Sequence, residues 1–212
     1  IDAVAIVHPL EIYYFTGVLF PEQFPAQPAL LWIEAGGDSW MVAHSDAGEP
    51  LVDACYTYEC SIGGTVNPYM RTQLGELIVE RLQARGTRAG RVGYQREFMP
   101  KLLSDQIDRG LGTEPEWVDM DEGLHEMQEV KDDDEIALIR KAIEVDLAAY
   151  TAAQKVIEPG VNELEVLGAA QQAAHLAAGE KVFHDGDYQC GQLGGFARDR
   201  RIEEGELYVI DA

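Results

Sequence analysis

The sequence GFARDRRIEEGELYVIDA, residues 195–212, decides how the second half of this chain folds. A basic turn at 198–201 leads to a polar corner at 203–205. The apolar run at 207–210 then predicts a buried strand, because the run is short and a turn signal bounds it. The run ends in Asp211, so the stretch predicts a strand that presents one carboxylate at its tip, which is the first part of a metal site.

Composition and charge indicate an acidic globular protein. The chain has 212 residues, of which 46% are apolar, enough for the core of one large or two small domains. The 16 basic and 38 acidic residues give a net charge of −22, which repels phosphate backbones, so no nucleic-acid partner is expected. No run approaches the roughly 18 apolar residues of a membrane span, which predicts a soluble chain without a membrane partner. The chain starts at Ile1 without a signal-peptide pattern, and we expect it to be part of a longer polypeptide.

The three cysteines, Cys55, Cys60 and Cys190, predict a protein without disulfides. An odd and sparse number argues against a disulfide framework and favours a reducing, cytoplasmic location. Cys55 and Cys60 are close in sequence, but no second pair of Cys or His lies near them. A zinc knuckle is therefore disfavoured.

Residues 1–120 alternate between predicted strands and predicted helices. Glycines at 36–37 supply the positive φ that a tight hairpin needs. Asn67 and Pro68 predict the cap and first turn of a helix that ends at Gly86. No glycine-rich phosphate loop follows any strand, so this half shows no chemistry of its own, and its pattern predicts an α/β domain with a mixed sheet. The predicted strands are 3–7, 12–16, 29–34, 39–43, 51–58, 91–94 and 117–118, the predicted helices are 67–86 and 100–111, and 21–28 is predicted to be an irregular connection.

The polar segment 119–123 is the predicted domain boundary, and the sequence beyond it is helical. Carboxylates at 132–134 suit a helix start, where the helix dipole favours negative charge. Proline and glycine at 159–160 end this helix, and Asn162 begins a second one with a capping-box pattern. Two predicted strands follow, which indicates helices lying across a curved antiparallel sheet. These strands are 181–183 and 207–210; the first helix carries an apolar stripe at Ile136, Ile139, Ile143, Leu147 and Tyr150, and Leu164, Leu167, Ala170 and Ala174 of the second are predicted to face inward.

Several short motifs occur in a fixed order along the chain. KDDDEIALIRKA at 131–142 has the pattern K-x-x-x-E-I-x-x-(I/L)-R-x-A, and PGVNE at 159–163 has the pattern P-G-x-x-E. GELYVID at 205–211 is matched to G-D-x-x-x-x-D, and IYYFTG at 12–17 is similar to I-x-Y-L-T-G. Together these motifs resemble the creatinase / Xaa-Pro aminopeptidase / prolidase group of pita-bread-fold metallopeptidases over nearly the whole chain.

The resemblance implies an α/β (α+β) protein of two domains. Residues 1–122 would form a creatinase-like N-terminal domain with a mixed sheet, and 123–212 the first part of a pita-bread metallohydrolase domain. Members of the group are often dimers and hydrolyse a peptide or small amide substrate, so a homodimer and such a substrate are expected. They bind two divalent ions, commonly Mn, Co or Zn, through two Asp, one His and two Glu. On that pattern Asp211 is the first metal ligand and the others would lie beyond Ala212, so this chain alone is expected to bind no metal tightly and to be inactive.

The chain also departs from the group's pattern at one position. The group often carries a P-H-x-x-P segment whose His contacts substrate, and counting back from Asp199 places Gly194 at that His. Its absence disfavours ordinary Xaa-Pro hydrolysis and equally the metal-free creatinase route. His184 is the candidate catalytic substitute, and the alternative is a structural or exposed histidine.

Other polar and aromatic residues are open to two interpretations. Arg198 and Arg200 are candidates for binding a substrate carboxylate; alternatively, the basic turn neutralises Glu203, Glu204 and Glu206. Trp32 and Trp40 lie across the predicted hairpin and are expected in the core or an interface. The remaining histidines have no spaced acidic partner and are predicted to be packing or surface residues: His8, His44, His125 and His175.

Three hypotheses for the function follow. The first is a hydrolase of the Xaa-Pro peptidase group. The second is an inactive or non-peptidase relative, amidinohydrolase-like or used for binding and assembly. The third is a free-standing module whose strand at 207–210 lacks a hairpin partner and self-associates through its open edge.

Overall fold

The computed structural model describes residues 1–19, 27–45 and 48–212, which form two compact units, Ile1–Glu129 and Val130–Ala212. Predicted segment 21–28 lies outside the described residues except at its last two positions. No helix among the described residues is both long enough and apolar enough to cross a membrane. The elements of the first unit are β1 (Ala3–Ile6), α1 (Pro9–Thr16), β2 (Leu30–Glu34), β3 (Ser39–His44), β4 (Ala54–Tyr58), β5 (Ser61–Ile62), β6 (Thr65–Val66), α2 (Met70–Arg85), β7 (Arg91–Tyr94), α3 (Lys101–Leu111), β8 (Glu116–Asp119) and α4 (Asp121–Glu129); those of the second are α5 (Asp133–Val156), α6 (Glu163–Ala178), β9 (Asp187–Cys190) and β10 (Tyr208–Asp211).

The first unit is built on one mixed six-stranded sheet, ordered β4-β3-β2-β1-β7-β8. β1, β7 and β8 run parallel to one another, β3 runs parallel to β4, and β2 is antiparallel to both of its neighbours. The mixed α/β fold predicted from the sequence is therefore confirmed. Trp32 and Trp40 pair across the β2–β3 hairpin with ring centroids 5.8 Å apart, and both are fully buried, as predicted for core residues.

The helices of this unit cover both faces of the sheet. Leu103 and Ile107 of α3 belong to the core on the face that carries Trp32. Ile12 of α1 belongs to a second core on the opposite face, with Leu31. Since β1 leads into α1 and β7 leads into α3, the chain leaves these adjacent parallel strands towards opposite faces.

The strand predicted at 12–16 is wrong, because α1 occupies this segment. Pro9 stands in the first turn, where its missing N–H costs nothing, and Gly17 adopts a left-handed φ of 72° and donates its N–H to the carbonyl of Tyr13. A helix brings residues three apart onto one side, so the His8 Nδ1 contacts the Glu11 carboxylate. The prediction that His8 lacks an acidic partner is therefore wrong, and so is that for His125, whose Nε2 lies 3.7 Å from Glu129.

The start of α2 also differs from its prediction. The helix begins at Met70, and Asn67 is not its N-cap. Instead the Asn67 side-chain oxygen accepts a hydrogen bond from the Tyr69 N–H at 2.9 Å, which forms a turn before the helix. The predicted end at Gly86 is confirmed by its left-handed φ of 65°.

A close contact between α2 and α3 depends on Gly110. A Cβ at this position would lie 2.7 Å from Leu82 Cδ1 and 3.2 Å from the Val79 Cα. We expect Gly110→Ala to destabilise the first unit by about 1–2 kcal/mol, because the overlap with backbone outweighs the gain in helix propensity. All three tryptophans lie in this unit, so urea unfolding followed by their fluorescence measures the effect.

Gly168 in α6 provides the matched control for this substitution. A Cβ there would meet no atom within 4 Å. Gly168→Ala should therefore stabilise its helix by roughly 0.5–1 kcal/mol, measured by far-UV circular dichroism because the second unit contains no tryptophan. An increase in stability from Gly110→Ala would show that the α2–α3 contact is looser than the structure indicates.

The second unit packs two alanine-rich helices against a two-stranded antiparallel sheet, β9–β10. Both helices start as predicted, with capping boxes at Asp132 and at Asn162. Small side chains on both helices let them approach closely. The fully buried core residues are Ala149, Ala153, Val166, Ala170, Ala174, Tyr188 and Cys190.

Three predictions for the second unit are corrected. Segment 181–183 is not a strand; the partner of β10 is β9, so the strand predicted at 207–210 does not lack a hairpin partner. Leu164 is 47% exposed and does not face inward, because Glu163 occupies the buried position beside it. The prediction of an apolar stripe on α5 is not among these corrections; Ile136, Ile139, Ile143 and Leu147 are exposed, since the alanines of α5 make the helix contact instead.

The predicted domain boundary at 122/123 falls inside α4, and the predicted linker 119–123 ends β8 and begins that helix. The first compact unit ends at Glu129 and the second begins at Val130. The assignment of 1–122 to a creatinase-like domain and of 123–212 to a pita-bread domain stays a prediction.

Candidate active site

Two carboxylates face each other at the end of the β9–β10 ribbon. Asp211 is the last residue of β10, is exposed, and lies directly opposite Asp187, the first residue of β9. Directly opposed residues of an antiparallel pair point to the same face, with Cβ atoms about 5 Å apart. Neither side chain forms an ion pair with any described residue. Two like charges are thus brought together without a cation from the described parts of the chain.

Gly186 allows these strand ends to come together. Its φ is 149°, a conformation that L side chains rarely adopt. A Cβ here would collide with the carbonyl oxygen of Asp211 and lie 2.8 Å from the Ala212 Cα. Only glycine fits between the start of β9 and the end of β10, so this residue positions Asp211.

Gly194, the position where the group's pattern expects a histidine, is also restricted to glycine. Its φ is 142°, and a Cβ would collide with the Asp187 carboxylate. A histidine therefore does not fit the conformation that this loop adopts. The departure seen in the sequence is part of the local backbone geometry and not a simple exchange of one side chain.

Glu163 organises the turn in front of β10. Its side chain is fully buried and accepts hydrogen bonds from the Cys190 backbone N–H at 3.0 Å and from the Arg198 backbone N–H at 2.8 Å. The Arg198 guanidinium adds two bonds, at 3.0 Å from Nε and 2.6 Å from Nη2. Burial alone would raise the pKa of Glu163, but the hydrogen bonds from Arg198 and Cys190 outweigh it and lower the pKa to about 2.

A second ion pair lies beside the first. Arg200 donates to both carboxylate oxygens of Glu206, at 2.8 and 2.6 Å, and these bonds lower the pKa of Glu206 to about 2. Burial, together with the neighbouring Glu163, raises the pKa of the Cys190 thiol to about 11. Cys190 is therefore a protonated, structural thiol and not a nucleophile.

The contacts of the basic turn bear on its two interpretations. Arg198 pairs with Glu163, Arg200 pairs with Glu206 and Glu203, and Arg201 donates to the carbonyl of Gly160. The contacts of Arg200 fit the interpretation that the basic turn neutralises glutamates, because Arg200 pairs with Glu206 and Glu203. A role of Arg198 and Arg200 in substrate binding stays a prediction.

His184 is buried, with both ring nitrogens facing partners in the chain. Nε2 lies 2.8 Å from the Tyr188 hydroxyl, and Nδ1 lies 3.6 Å from Asp146 of α5. The ring is held in one orientation at the entry to β9, which suits either a structural or a positioning role. A catalytic role for His184 stays a prediction.

The donor atoms at Asp187 and Asp211 have the right chemistry for a divalent ion, because carboxylate oxygens suit Mn, Co and Zn. Within 1–19, 27–45 and 48–212, however, no three His, Cys, Asp or Glu side chains come together to hold a metal. The described residues thus fit part of a metal site and do not complete one. Sequence reasoning found Asp211 but missed Asp187, because no motif marks it and only strand pairing brings it opposite Asp211.

Comparison with known proteins shows similarity to one group of peptidases. No protein-family model matches the sequence. The Xaa-Pro dipeptidase of Pyrococcus furiosus is 25% identical over 215 aligned positions, which cover 100% of this chain and 56% of that protein. The Xaa-Pro dipeptidase of Pyrococcus horikoshii is 33% identical over 100 residues, 45% of this chain and 28% of that protein. The chain spans about half the length of the Pyrococcus furiosus dipeptidase that it matches over its whole length.

Solved structures show the same relationship at the level of the fold. The prolidase of Pyrococcus furiosus superimposes with a TM-score of 0.72 at 20% identity, covering 98% of this chain and 56% of the prolidase. The X-Pro aminopeptidase of Thermotoga maritima gives 0.68 at 16% identity, covering 97% of this chain and 55% of that chain. The curated relatives confirm the resemblance to the Xaa-Pro aminopeptidase and prolidase group that the motifs predicted, and the solved structures show the same fold.

Proposed function

We propose that this chain is part of a metal-dependent hydrolase that cleaves a peptide or small amide bond, as Xaa-Pro dipeptidases do. The observation that carries the proposal is the pair Asp187–Asp211, two opposed carboxylates without a basic partner among the described residues. It stands in a chain that is similar over its whole length to an Xaa-Pro dipeptidase. Like charges placed directly opposite each other destabilise a strand pair, so a cation between them would be favoured.

In this proposal Asp211 is a metal ligand, and Asp187 supports it from the opposite strand. A bound pair of divalent ions, Mn, Co or Zn, would supply an activated water and polarise the scissile carbonyl. In this proposal the other metal ligands come from residues other than Asp187 and Asp211.

Arg198 is the better placed of the two candidate substrate-binding arginines. Its side chain is 38% exposed, although its partner Glu163 is fully buried. Its bonds use Nε and Nη2, so Nη1 has no partner among the described residues. A guanidinium carries five donors, and we propose that the Nη1 donors bind a substrate carboxylate. Arg200 would contribute by holding the turn through Glu206.

The proposal is tested with the longest natural form of the protein. We expect it to hydrolyse an Xaa-Pro dipeptide such as Leu-Pro, to lose activity after treatment with EDTA, and to recover it with Mn²⁺ or Co²⁺. Metal content is measured on the same samples. A folded protein that binds these ions but hydrolyses neither dipeptides nor small amides would overturn the proposal. Light scattering tests the homodimer proposed with it.

A second candidate, a relative that keeps the fold without peptidase activity, is favoured by Gly194. The backbone there excludes the histidine that contacts substrate in the group's pattern. Metal binding without turnover of any Xaa-Pro dipeptide would support this candidate. Turnover of Xaa-Pro substrates would exclude it.

A further inference from the structure

A crevice in the first unit lies at the carboxyl ends of β1 and β7. These two parallel strands are neighbours, and the helices that follow them pack on opposite faces of the sheet. Such a switch point in an open α/β sheet is where ligands commonly bind, because the diverging connections leave a gap. A cavity of about 270 Å³ occupies this position, lined in part by Gln95, Phe98 and Leu124. Its volume is just below the usual range for drug-sized ligands, so it suits a small one.

Gln95, directly after β7, is 2% exposed and has an unused donor. Its side-chain oxygen accepts hydrogen bonds from the backbone N–H groups of Val7 at 2.8 Å and His8 at 2.9 Å. These two donors fix which side-chain atom is oxygen and which is nitrogen. Among the described residues the amide nitrogen has no partner, although Gln95 lines the cavity. This donor is therefore the polar group of a buried side chain that is left for a ligand, which could bind by presenting an acceptor to it.

The charge of the crevice is negative. Glu97 and Asp121 line the cavity, and neither forms an ion pair with a described residue. Asp121 accepts only the backbone N–H of Glu97, at 3.1 Å. Glu11 also lines the cavity, next to His8. Although His125 also lines the cavity, the unpaired carboxylates of Glu97 and Asp121 favour a positively charged ligand.

The apolar part of the lining distinguishes an organic cation from a metal ion. The Phe98 ring contacts the His8 ring at a tilt of 44°, with centroids 4.0 Å apart, and remains 46% exposed. An aromatic face attracts ammonium groups and packs against carbon, whereas a metal ion would need several converging ligands. No three such ligands converge within the described parts of the chain. The lining therefore favours an organic cation.

We propose that this crevice binds a small organic cation that also carries an uncharged acceptor oxygen, such as an aminoacyl amide. Its ammonium group lies against Glu97 and Asp121, its carbonyl oxygen accepts from the Gln95 amide, and its carbon atoms pack against Phe98. A carboxylate in place of the carbonyl is disfavoured by the acidic lining. The site lies entirely within the first unit and does not depend on the hydrolase proposed for Asp211.

Three probes separate the parts of the proposal. Glycinamide carries both the ammonium group and the carbonyl, methylammonium carries only the charge, and acetamide only the carbonyl. Titration of the full chain, followed by NMR signals of the Glu97 amide and the Gln95 side-chain NH₂, should give saturable shifts with glycinamide and weaker binding of the other two. Equal binding of glycinamide and methylammonium would overturn the assignment of Gln95.

Matched variants control for the chain's net charge of −22. Glu97→Gln should weaken glycinamide binding by about tenfold, the loss of one charged contact. Glu76→Gln removes the same charge from an exposed position of α2 outside the crevice and should leave binding unchanged. Both positions are exposed, so both variants should fold. Equal weakening in the two variants, absence of saturable shifts, or equal shifts from Mg²⁺ would overturn the proposal.

Discussion

Glu163→Ala should lower the free energy of unfolding of Val130–Ala212 by about 3 kcal/mol. The substitution removes a fully buried carboxylate that accepts bonds from the backbone and side chains of Cys190 and Arg198. Breaking a buried ion pair by removing one partner costs roughly 3–5 kcal/mol, because the other charge and its donors lose their acceptor. We expect the lower end of this range, since Arg198 is 38% exposed and can turn towards water.

The two units allow this effect to be measured against an internal reference. All tryptophans lie in the first unit, so their fluorescence follows only that unit in urea. Far-UV circular dichroism additionally reports α5 and α6, and their transition should move to lower urea while the fluorescence transition stays in place. Glu180→Ala removes an exposed glutamate from the same unit and should leave both transitions unchanged. A Glu163→Ala variant as stable as this control would contradict the assigned network.

The same residue makes stability depend on pH. The folded pKa of Glu163 is lowered to about 2 from its usual value near 4.5. Its contribution to stability is therefore complete above about pH 4.5 and is lost as the pH falls towards 2. Glu163→Gln should show a shallower loss of stability across this range. Part of the loss should remain, because the pKa of Glu206 is lowered to about 2 in the same way.

Local signals account for what the sequence predicted well. Asn162 and Glu165 form a capping box within four consecutive residues, and Gly179 ends α6 by its own left-handed backbone. The β2–β3 hairpin follows from glycine at its turn and apolar strands on either side. In α1 two local signals conflicted: IYYFT has high strand propensity, but Pro9 and Gly17 are placed as helix boundaries. The segment forms the helix that Pro9 and Gly17 indicate, and Ile12 is buried in the core from this helix as it would be from a strand.

The candidate site depends on contacts that are distant in sequence. Glu163 and Arg198 are 35 residues apart, and the sequence assigned one to a helix start and the other to a basic turn. Asp187 becomes opposed to Asp211 only through the pairing of β9 with β10. Gln95 and His8 are 87 residues apart and meet only because β1 and β7 are adjacent in the sheet. Motifs indicated the resemblance to Xaa-Pro peptidases and one candidate ligand, Asp211, whereas strand order determines which side chains surround it.

Asp211→Asn in the longest natural form should lower metal-dependent hydrolysis by about 100-fold or more and reduce the amount of bound metal. The neutral amide is a poorer ligand for a divalent ion, and loss of one ligand also loosens those that remain. Asp187→Asn should cause a smaller loss, on the order of tenfold, because the proposed site gives Asp187 a supporting role and not that of a ligand. Asp134→Asn, in the exposed first turn of α5, is the matched control and should change neither quantity.

Stability without metal provides a readout that does not depend on activity. In EDTA the opposed carboxylates repel each other, so Asp187→Asn and Asp211→Asn should each leave the second unit as stable or raise its stability by roughly 0.2–1 kcal/mol. With metal present the unaltered protein should be more stable than either variant, since metal binding stabilises only a protein that retains its site. This reversal separates a metal ligand from a carboxylate that merely ends a strand. If both variants were destabilised in EDTA, the carboxylates would be structural, and the proposal that Asp211 binds metal would fail.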